Sequence, residues 1–281
     1  MKDLRFIFLL FLGMSSCGNN QIDTIKTETK ILPIDSVTKK DSIVEIKKEI
    51  YTIDSTKKYI YLTFDDGPQN GTLACYEICK ELNVKGTFFM ISVQMYDKWG
   101  KNLAAKVKTG YPTTLLANHS HTHAFRNQFN KFYHQPNEAF LDFKRANDSL
   151  KADYKMARLP GNNGWATKRG ITSSKFVRNV ITKLDSAGYD VLGWDIEWHF
   201  SYDGKSKPVE STQSIIQQIK YALQYNSYSK NHVVLLMHDR MFKDKSDADS
   251  LRFVIQELKK NKNFVFETLD HYPNIKLNRS N

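Results

Sequence analysis

The chain has 281 residues, with 41 lysines and arginines against 30 aspartates and glutamates, a formal charge of +11. That length allows one large α/β domain or two small ones, and 41% hydrophobic with 25% charged residues is the composition of a globular protein rather than a disordered one. The charge favours acidic partners, but no nucleic-acid motif occurs and the lysines are scattered. Nucleic acid is therefore excluded as a partner, and the charge reads as solubility and loose attraction to a polyanionic envelope.

In chain order, Lys2 and Arg5 form a basic start, Phe6 to Leu12 an apolar run, and Ser15 and Ser16 supply small residues before Cys17. This is an export signal over residues 1–16, too short to cross a bilayer as a helix. Met14-Ser15-Ser16-Cys17 resembles a bacterial lipoprotein box, which implies cleavage before Cys17, a lipid on that cysteine and a membrane-anchored protein of the bacterial cell envelope. Residues 17–57, rich in Thr, Lys, Asp, Ser, Ile and Glu without a sustained period, are expected to be a flexible tether, with an edge strand near Ile43 to Ile53 as the alternative.

A domain is expected over 58–275. Tyr59 to Phe64 is a strand running into the Asp65-Asp66-Gly67-Pro68 loop. Thr72 to Leu82 has helical spacing of Leu73, Tyr76, Ile78, Cys79 and Leu82. Cys75 and Cys79 fall on one face of that helix as buried thiols, since consecutive helical turns suit a disulfide poorly. A strand at Gly86 to Ile91 and helices near Lys98 to Thr109 and Glu138 to Lys151 follow. Next come a short strand at Met156 to Leu159, a helix at Phe176 to Ala187 and a strand at Tyr189 to Trp194. A helix at Ser211 to Tyr225, a fully apolar strand at His232 to Met237, a helix at Asp249 to Lys260 and a strand at Phe264 to Phe266 complete the pattern. Asn162 to Lys175 has no readable period. Alternating strands and helices imply parallel β/α units, a barrel-like α/β domain, with the chemistry at the strand C-terminal ends.

Three motifs carry that chemistry. Asp65 and Asp66 are adjacent, so on a strand end their carboxylates point in different directions, one towards a metal and the other towards a reacting water. His119 and His123 stand at i and i+4 and converge on one metal if their segment is helical, while His121 falls on the other face. Two histidines and one carboxylate leave positions for water and substrate, which marks a catalytic rather than a structural site. His238 ends the apolar strand Val233 to Met237; taken alone it reads as a core histidine.

The order and context of Thr63-Phe64-Asp65-Asp66-Gly67-Pro68, Asn118-His119-Ser120, His123, Arg158-Leu159-Pro160, Trp194-Asp195-Ile196-Glu197-Trp198 and Leu236-Met237-His238 resemble the polysaccharide deacetylase family (NodB-homology domain, carbohydrate esterase 4). The resemblance spans roughly residues 58 to 270. It implies a distorted (β/α) barrel of about seven parallel strands. It implies Asp66, His119 and His123 as ligands of a divalent metal, zinc being expected, and Asp65 as the base, held by Arg158. His238 becomes the catalytic acid, Asp195 the carboxylate that orients it with Glu197 as substitute, and Trp198 and Pro160 substrate-binding residues. The chain departs from the family pattern where Gly161 follows Pro160 directly and where the spacing around Asp195 is compressed. The implied activity is metal-dependent hydrolysis of N-acetyl, or O-acetyl, groups on a cell-envelope or extracellular polysaccharide by a monomer anchored through Cys17. A non-catalytic glycan-binding lipoprotein on the same fold, and a hydrolase of another acyl ester or cyclic amide, are the alternatives.

Overall fold

The structure is a computed structural model that describes residues 51–280. The export signal, Cys17 and most of the expected tether lie outside the described residues. Residues 51–57, assigned to the tether, already touch the domain: the Tyr51 ring stacks on His271 at 3.8 Å, and the Asp54 amide donates to the Tyr59 hydroxyl.

The elements run β1 (Lys58–Gly67), α1 (Thr72–Glu81), β2 (Gly86–Met90), α2 (Lys98–Thr109), β3 (Thr114–Asn118), α3 (His123–Asn127), α4 (Phe129–His134), α5 (Pro136–Leu150) and β4 (Met156–Ala157). They continue with β5 (Gly164–Thr167), β6 (Gly170–Ser173), α6 (Arg178–Ser186), β7 (Asp190–Val191), β8 (Ile196–Glu197), α7 (Thr212–Tyr225), β9 (His232–His238), α8 (Lys245–Lys259) and β10 (Phe264–Phe266). Local chemistry sets several boundaries. The Asp97 carboxylate caps α2 by accepting from the Gly100 amide, the Ser211 hydroxyl caps α7 at Ser214, and Pro136 opens α5, where a missing N–H costs nothing.

The sheet order is β6-β5-β7-β4-β3-β2-β1-β9-β8, and β10 pairs with β1. From β7 to β8 every neighbour is parallel, which gives the row of seven strands that the resemblance implies. The row curls because its two ends are joined by residues 192–195. Leu192 donates its amide to Ala157 of β4, and Asp195 donates to Val234 of β9. The stretch without a readable period is an antiparallel hairpin, β5 with β6, set against β7.

Alternation along β1 sorts the chain into two environments. Ile60, Leu62 and Phe64 pack under α1, α7 and α8 with Cys75, Cys79, Ile219 and Val254, all but sealed from solvent. Both cysteines are free, as expected. Tyr59 and Tyr61 turn the other way, onto Phe89, Leu115, Ala117, Met156, Leu192 and Val234 of the neighbouring strands. The concave face is thus filled by large side chains at its lower end, and the residues that continue the same alternation upward are Thr63 and Asp65. Parallel strands with both faces covered read as continuous apolar runs, which is why β9 shows no alternation in the sequence.

Candidate active site

Both carboxylates of the Asp pair reach one point because β1 carries a bulge there. Asp65 aligns with Phe89 and Gly67 with Met90, so Asp66 is the extra residue, and it sits at φ 75°. A bulge re-aims a side chain that a regular strand would turn away, and aspartate tolerates the left-handed region better than most residues. The two carboxylates keep different partners, Asp66 beside His123 and Asp65 on Arg158, yet both approach one imidazole: the Nε2 of His119 lies 3.6 Å from Asp65 Oδ2 and 3.4 Å from Asp66 Oδ1. The loop that follows has no room for side chains at its glycines. A Cβ on Gly71 would fall 2.0 Å from the Asp239 carbonyl oxygen, so only glycine lets the β1 and β9 loops pack.

His119 and His123 converge, though not on one helix. His119 extends β3, donating its amide to the Met90 carbonyl. His123 opens a turn in which residues 123–127 all have φ between 51° and 67°, a left-handed turn that costs L-residues energy and persists only where surrounding contacts impose it. The Asp142 carboxylate of α5 supplies those contacts, accepting from the His121 amide, the Thr122 amide and the Thr122 hydroxyl at 2.8, 3.1 and 2.9 Å. His121 is turned away, with its Nδ1 2.7 Å from the Ser92 hydroxyl. Each of the two converging rings is fixed through its other nitrogen, His119 Nδ1 on the Arg158 carbonyl at 3.1 Å and His123 Nδ1 on Asn127 Oδ1.

Arg158 is fully buried. Its Nη1 donates to Thr63 Oγ1 at 2.6 Å and to Asp65 Oδ1 at 2.9 Å, its Nε to the Leu192 carbonyl and its Nη2 to the Gly193 carbonyl. The guanidinium lies 4.2 Å from the Phe89 ring centre. One side chain therefore holds Asp65 and ties down the segment that closes the barrel. Burial pulls the Arg158 pKa down, opposed by Asp65.

His238 ends β9 in register with Asp65. Its Nδ1 is buried with no hydrogen-bond partner among the described residues, and its ring meets Phe200 edge-on at 4.8 Å. Asp195 does not orient it. The Asp195 oxygens accept the amides of Tyr228 and Val234 at 2.6 and 2.7 Å, a structural role in closing the barrel, and burial pushes its pKa up to about 6. Glu197 pairs in register with Leu236, which puts it on the face that carries His238 two residues later. Trp198 is not a substrate platform: it is fully buried, donates Nε1 to the Glu210 carbonyl and packs edge-on against Phe242. Pro160 is likewise buried, its carbonyl bound by the Tyr133 hydroxyl, while Leu159 and Gly161 on either side line the cleft.

That cleft, about 790 Å³, contains Asp65, Asp66, His119, His123 and His238 together with Trp194, Glu197, Phe200, Tyr202, Arg126 and Arg240. Arg240 carried no signal in the sequence beyond its nearness to His238, and Asp142, which meets the His motif only in the fold, carried none.

The donor set fits a cation. The candidate ligand atoms of Asp66, His119 and His123 all lie within 4.8 Å of one another, and Asp66 Oδ1 is buried without a hydrogen-bond donor. Burial would raise the Asp66 pKa, but the adjoining His119 imidazole and the charges of His123 and His238 hold it well below the usual carboxylate range. Burial would lower that of His119, and Asp65 and Asp66 overcome it and raise it. Two imidazoles crowding an ionised, unsatisfied carboxylate oxygen is the arrangement a divalent metal completes by displacing protons.

Comparison with known proteins agrees. The sequence profile described as "Polysaccharide deacetylase" matches residues 52–169. "Putative polysaccharide deacetylase YheN" of Bacillus subtilis is 30% identical over 217 residues, covering 76% of this chain and 67% of that protein. The chitin disaccharide deacetylase of Vibrio alginolyticus is 24% identical over 77% of this chain and 72% of its own length. Among solved structures, the catalytic domain of a peptidoglycan N-acetylglucosamine deacetylase from Eubacterium rectale aligns with a TM-score of 0.56 at 23% identity, covering 82% of this chain and 96% of that one. A family 4 carbohydrate esterase from Streptomyces lividans aligns at 0.52 and 21%, covering 80% and 97%. With the curled seven-strand sheet and the Asp-His-His cluster at its C-terminal end, these matches make the chain a member of the polysaccharide deacetylase family.

Proposed function

We propose that this protein removes acetyl groups, N-acetyl foremost, from a cell-envelope or extracellular polysaccharide in a reaction that depends on a divalent metal, zinc being the best fit to a set of two imidazoles and one carboxylate. The observation that carries the reading is the convergence of Asp66 Oδ1 with Nε2 of His119 and His123, directly beside Asp65 and on the strand face that ends at His238. Asp66, His119 and His123 would hold the metal, which supplies Lewis acidity towards water and the acyl oxygen.

The remaining steps belong to the chain. Asp65, oriented by Arg158, takes the proton from the attacking water. His238 donates to the leaving nitrogen as the carbon–nitrogen bond breaks, giving acetate and a free amino sugar. Glu197, on the same face, is the carboxylate placed to tune His238. Trp194, Phe200 and Tyr202 supply ring faces along the cleft for sugar residues. The basic start, the apolar run and Cys17 in the sequence support export and a lipid anchor in the bacterial envelope, with the catalytic domain working as a monomer.

The test is acetate release by the purified, zinc-loaded protein from N-acetylated oligosaccharides, peptidoglycan and acetylated xylan, with Asp65→Asn alongside. Acetate from one substrate that disappears in the variant supports the reading and identifies the target. A folded, metal-loaded protein that releases none from any of them overturns it.

A further inference from the structure

The arginines of the cleft are not all taken up by its carboxylates. Its acidic lining residues are Asp65, Asp66 and Glu197. Asp65 is paired with Arg158, and Asp66 with His119, His123 and Arg240. Glu197 faces the His199 imidazole at 3.8 Å. Arg126 lines the same cleft, yet among the described residues no hydrogen bond or ion pair engages its guanidinium. In Arg240, Nη2 is on Asp66 while Nε is buried without a partner.

The position of Arg126 is also built. It belongs to the left-handed turn that begins at His123, with its own φ at 59°. Its amide donates to the Thr122 carbonyl at 2.9 Å, and Thr122 is itself fastened to Asp142. The turn that delivers His123 to the reaction centre therefore delivers Arg126 to the cleft wall three residues later. An unengaged guanidinium carried by that turn to the wall of a cleft whose Asp65 and Asp66 already face Arg158 and Arg240 can receive a planar anion on the substrate.

We propose that the preferred substrate is an acidic acetylated glycan, one whose acetamido sugar carries or adjoins a carboxylate that Arg126 binds. This deepens the deacetylase reading and rests on it. Two chemistries supply such a group: a lactyl ether on the acetylated sugar itself, and a uronic acid as its neighbour. The formal charge of +11 favours either over a neutral polymer by drawing polyanions to the surface.

The experiment compares kcat/KM for acetate release by the metal-loaded protein on four probes: peptide-free peptidoglycan glycan strands, an oligosaccharide of alternating N-acetylglucosamine and glucuronate, and each of these after chemical reduction of its carboxylates to alcohols. One charge-assisted contact predicts a preference of about tenfold or more for a carboxylated probe over its reduced form. Whichever of the two probes shows it identifies the source of the anion. The preference should collapse towards unity in Arg126→Gln and largely return in Arg126→Lys, and it should weaken as salt rises. Equal turnover of carboxylated and reduced glycans, or a preference that survives Arg126→Gln, overturns the proposal while leaving the deacetylase reading intact. No acetate from any probe overturns both.

Discussion

Arg240 closes on the outer oxygen of Asp66. Its Nη2 lies 2.6 Å from Oδ2, while Oδ1 faces Nε2 of His119 and His123 at 3.4 and 3.2 Å. The carboxylate is thereby divided between a cation of the protein on one side and the proposed metal position on the other. A carboxylate so engaged offers one oxygen, not two, and its partner's charge opposes a dication nearby.

In Arg240→Gln the opposing charge is gone and Oδ2 is freed. Divalent metal binding should tighten several-fold while turnover falls by about tenfold, because the centre becomes a weaker Lewis acid and Asp66 loses its fixed orientation. Competition against a chromophoric chelator reads the affinity independently of activity. Weaker binding in the variant would mean that Arg240 serves to orient Asp66 and that its charge is of no account.

The Arg158–Asp65 pair predicts a stability effect on top of a catalytic one. Both side chains are almost wholly buried, so Arg158→Met strands an anion in the barrel at a cost of about 3–5 kcal/mol, read as a lowered urea midpoint. Asp65→Asn keeps a hydrogen-bond acceptor for the guanidinium and should abolish activity with a much smaller loss of stability. A variant of Arg158 as stable as the wild type would show the pair to be solvated.

The same two residues show what the sequence could and could not say. The strand-plus-motif pattern was enough to place Asp65, Asp66, His119, Arg158 and His238 at strand ends, because parallel β/α periodicity and the short motifs are both local. What failed was direction. The bulge at Asp66 and the left-handed turn at His123 each reverse where a side chain points, and neither has a glycine to announce it. Asp195 ends the four-residue closure and Glu197 stands two residues on in β8, and their partners, Tyr228 and β9, come from far along the chain. Trp198 looked like a platform only because burial is invisible in a motif. The β5–β6 hairpin escaped because its strands are four residues each, too short for a period to show.

That correction separates two carboxylates experimentally. Asp195→Asn keeps only one of the two side-chain oxygens that accept backbone amides and should cost about 1–2 kcal/mol of stability while leaving kcat of the folded protein nearly unchanged. Glu197→Gln, on the His238 face, should leave stability nearly unchanged and lower kcat by about tenfold or more. A loss of kcat caused by Asp195→Asn instead would return the tuning role to it.

Leaving-group chemistry tests His238. An amine must be protonated to depart and an alcohol needs less help. His238→Ala should thus lower deacetylation of N-acetyl substrates by about 10²–10⁴-fold and of O-acetyl substrates by less. Equal losses on the two would remove His238 from the acid role.

The lower end of the barrel carries a pH dependence of its own. His232 opens β9 with Nδ1 2.9 Å from the Tyr61 hydroxyl and its ring stacked on Tyr59 at 4.8 Å. Burial lowers its pKa from 6.5 to about 4. Since the unfolded chain binds the proton first, this group contributes stability that is full above pH 6.5 and is lost as the pH falls towards 4. Asp195, raised from 3.8 to about 6, works in the opposite direction, its contribution being full below 3.8 and lost as the pH rises through 6. Glu267, lowered from 4.5 to about 2, acts mostly below the His232 window. The His232 part is isolated by difference: the melting temperature of His232→Gln, measured from pH 7 to pH 4, should fall less steeply than that of the wild type. Parallel curves would mean that His232 takes up its proton in the folded protein as readily as in the unfolded one.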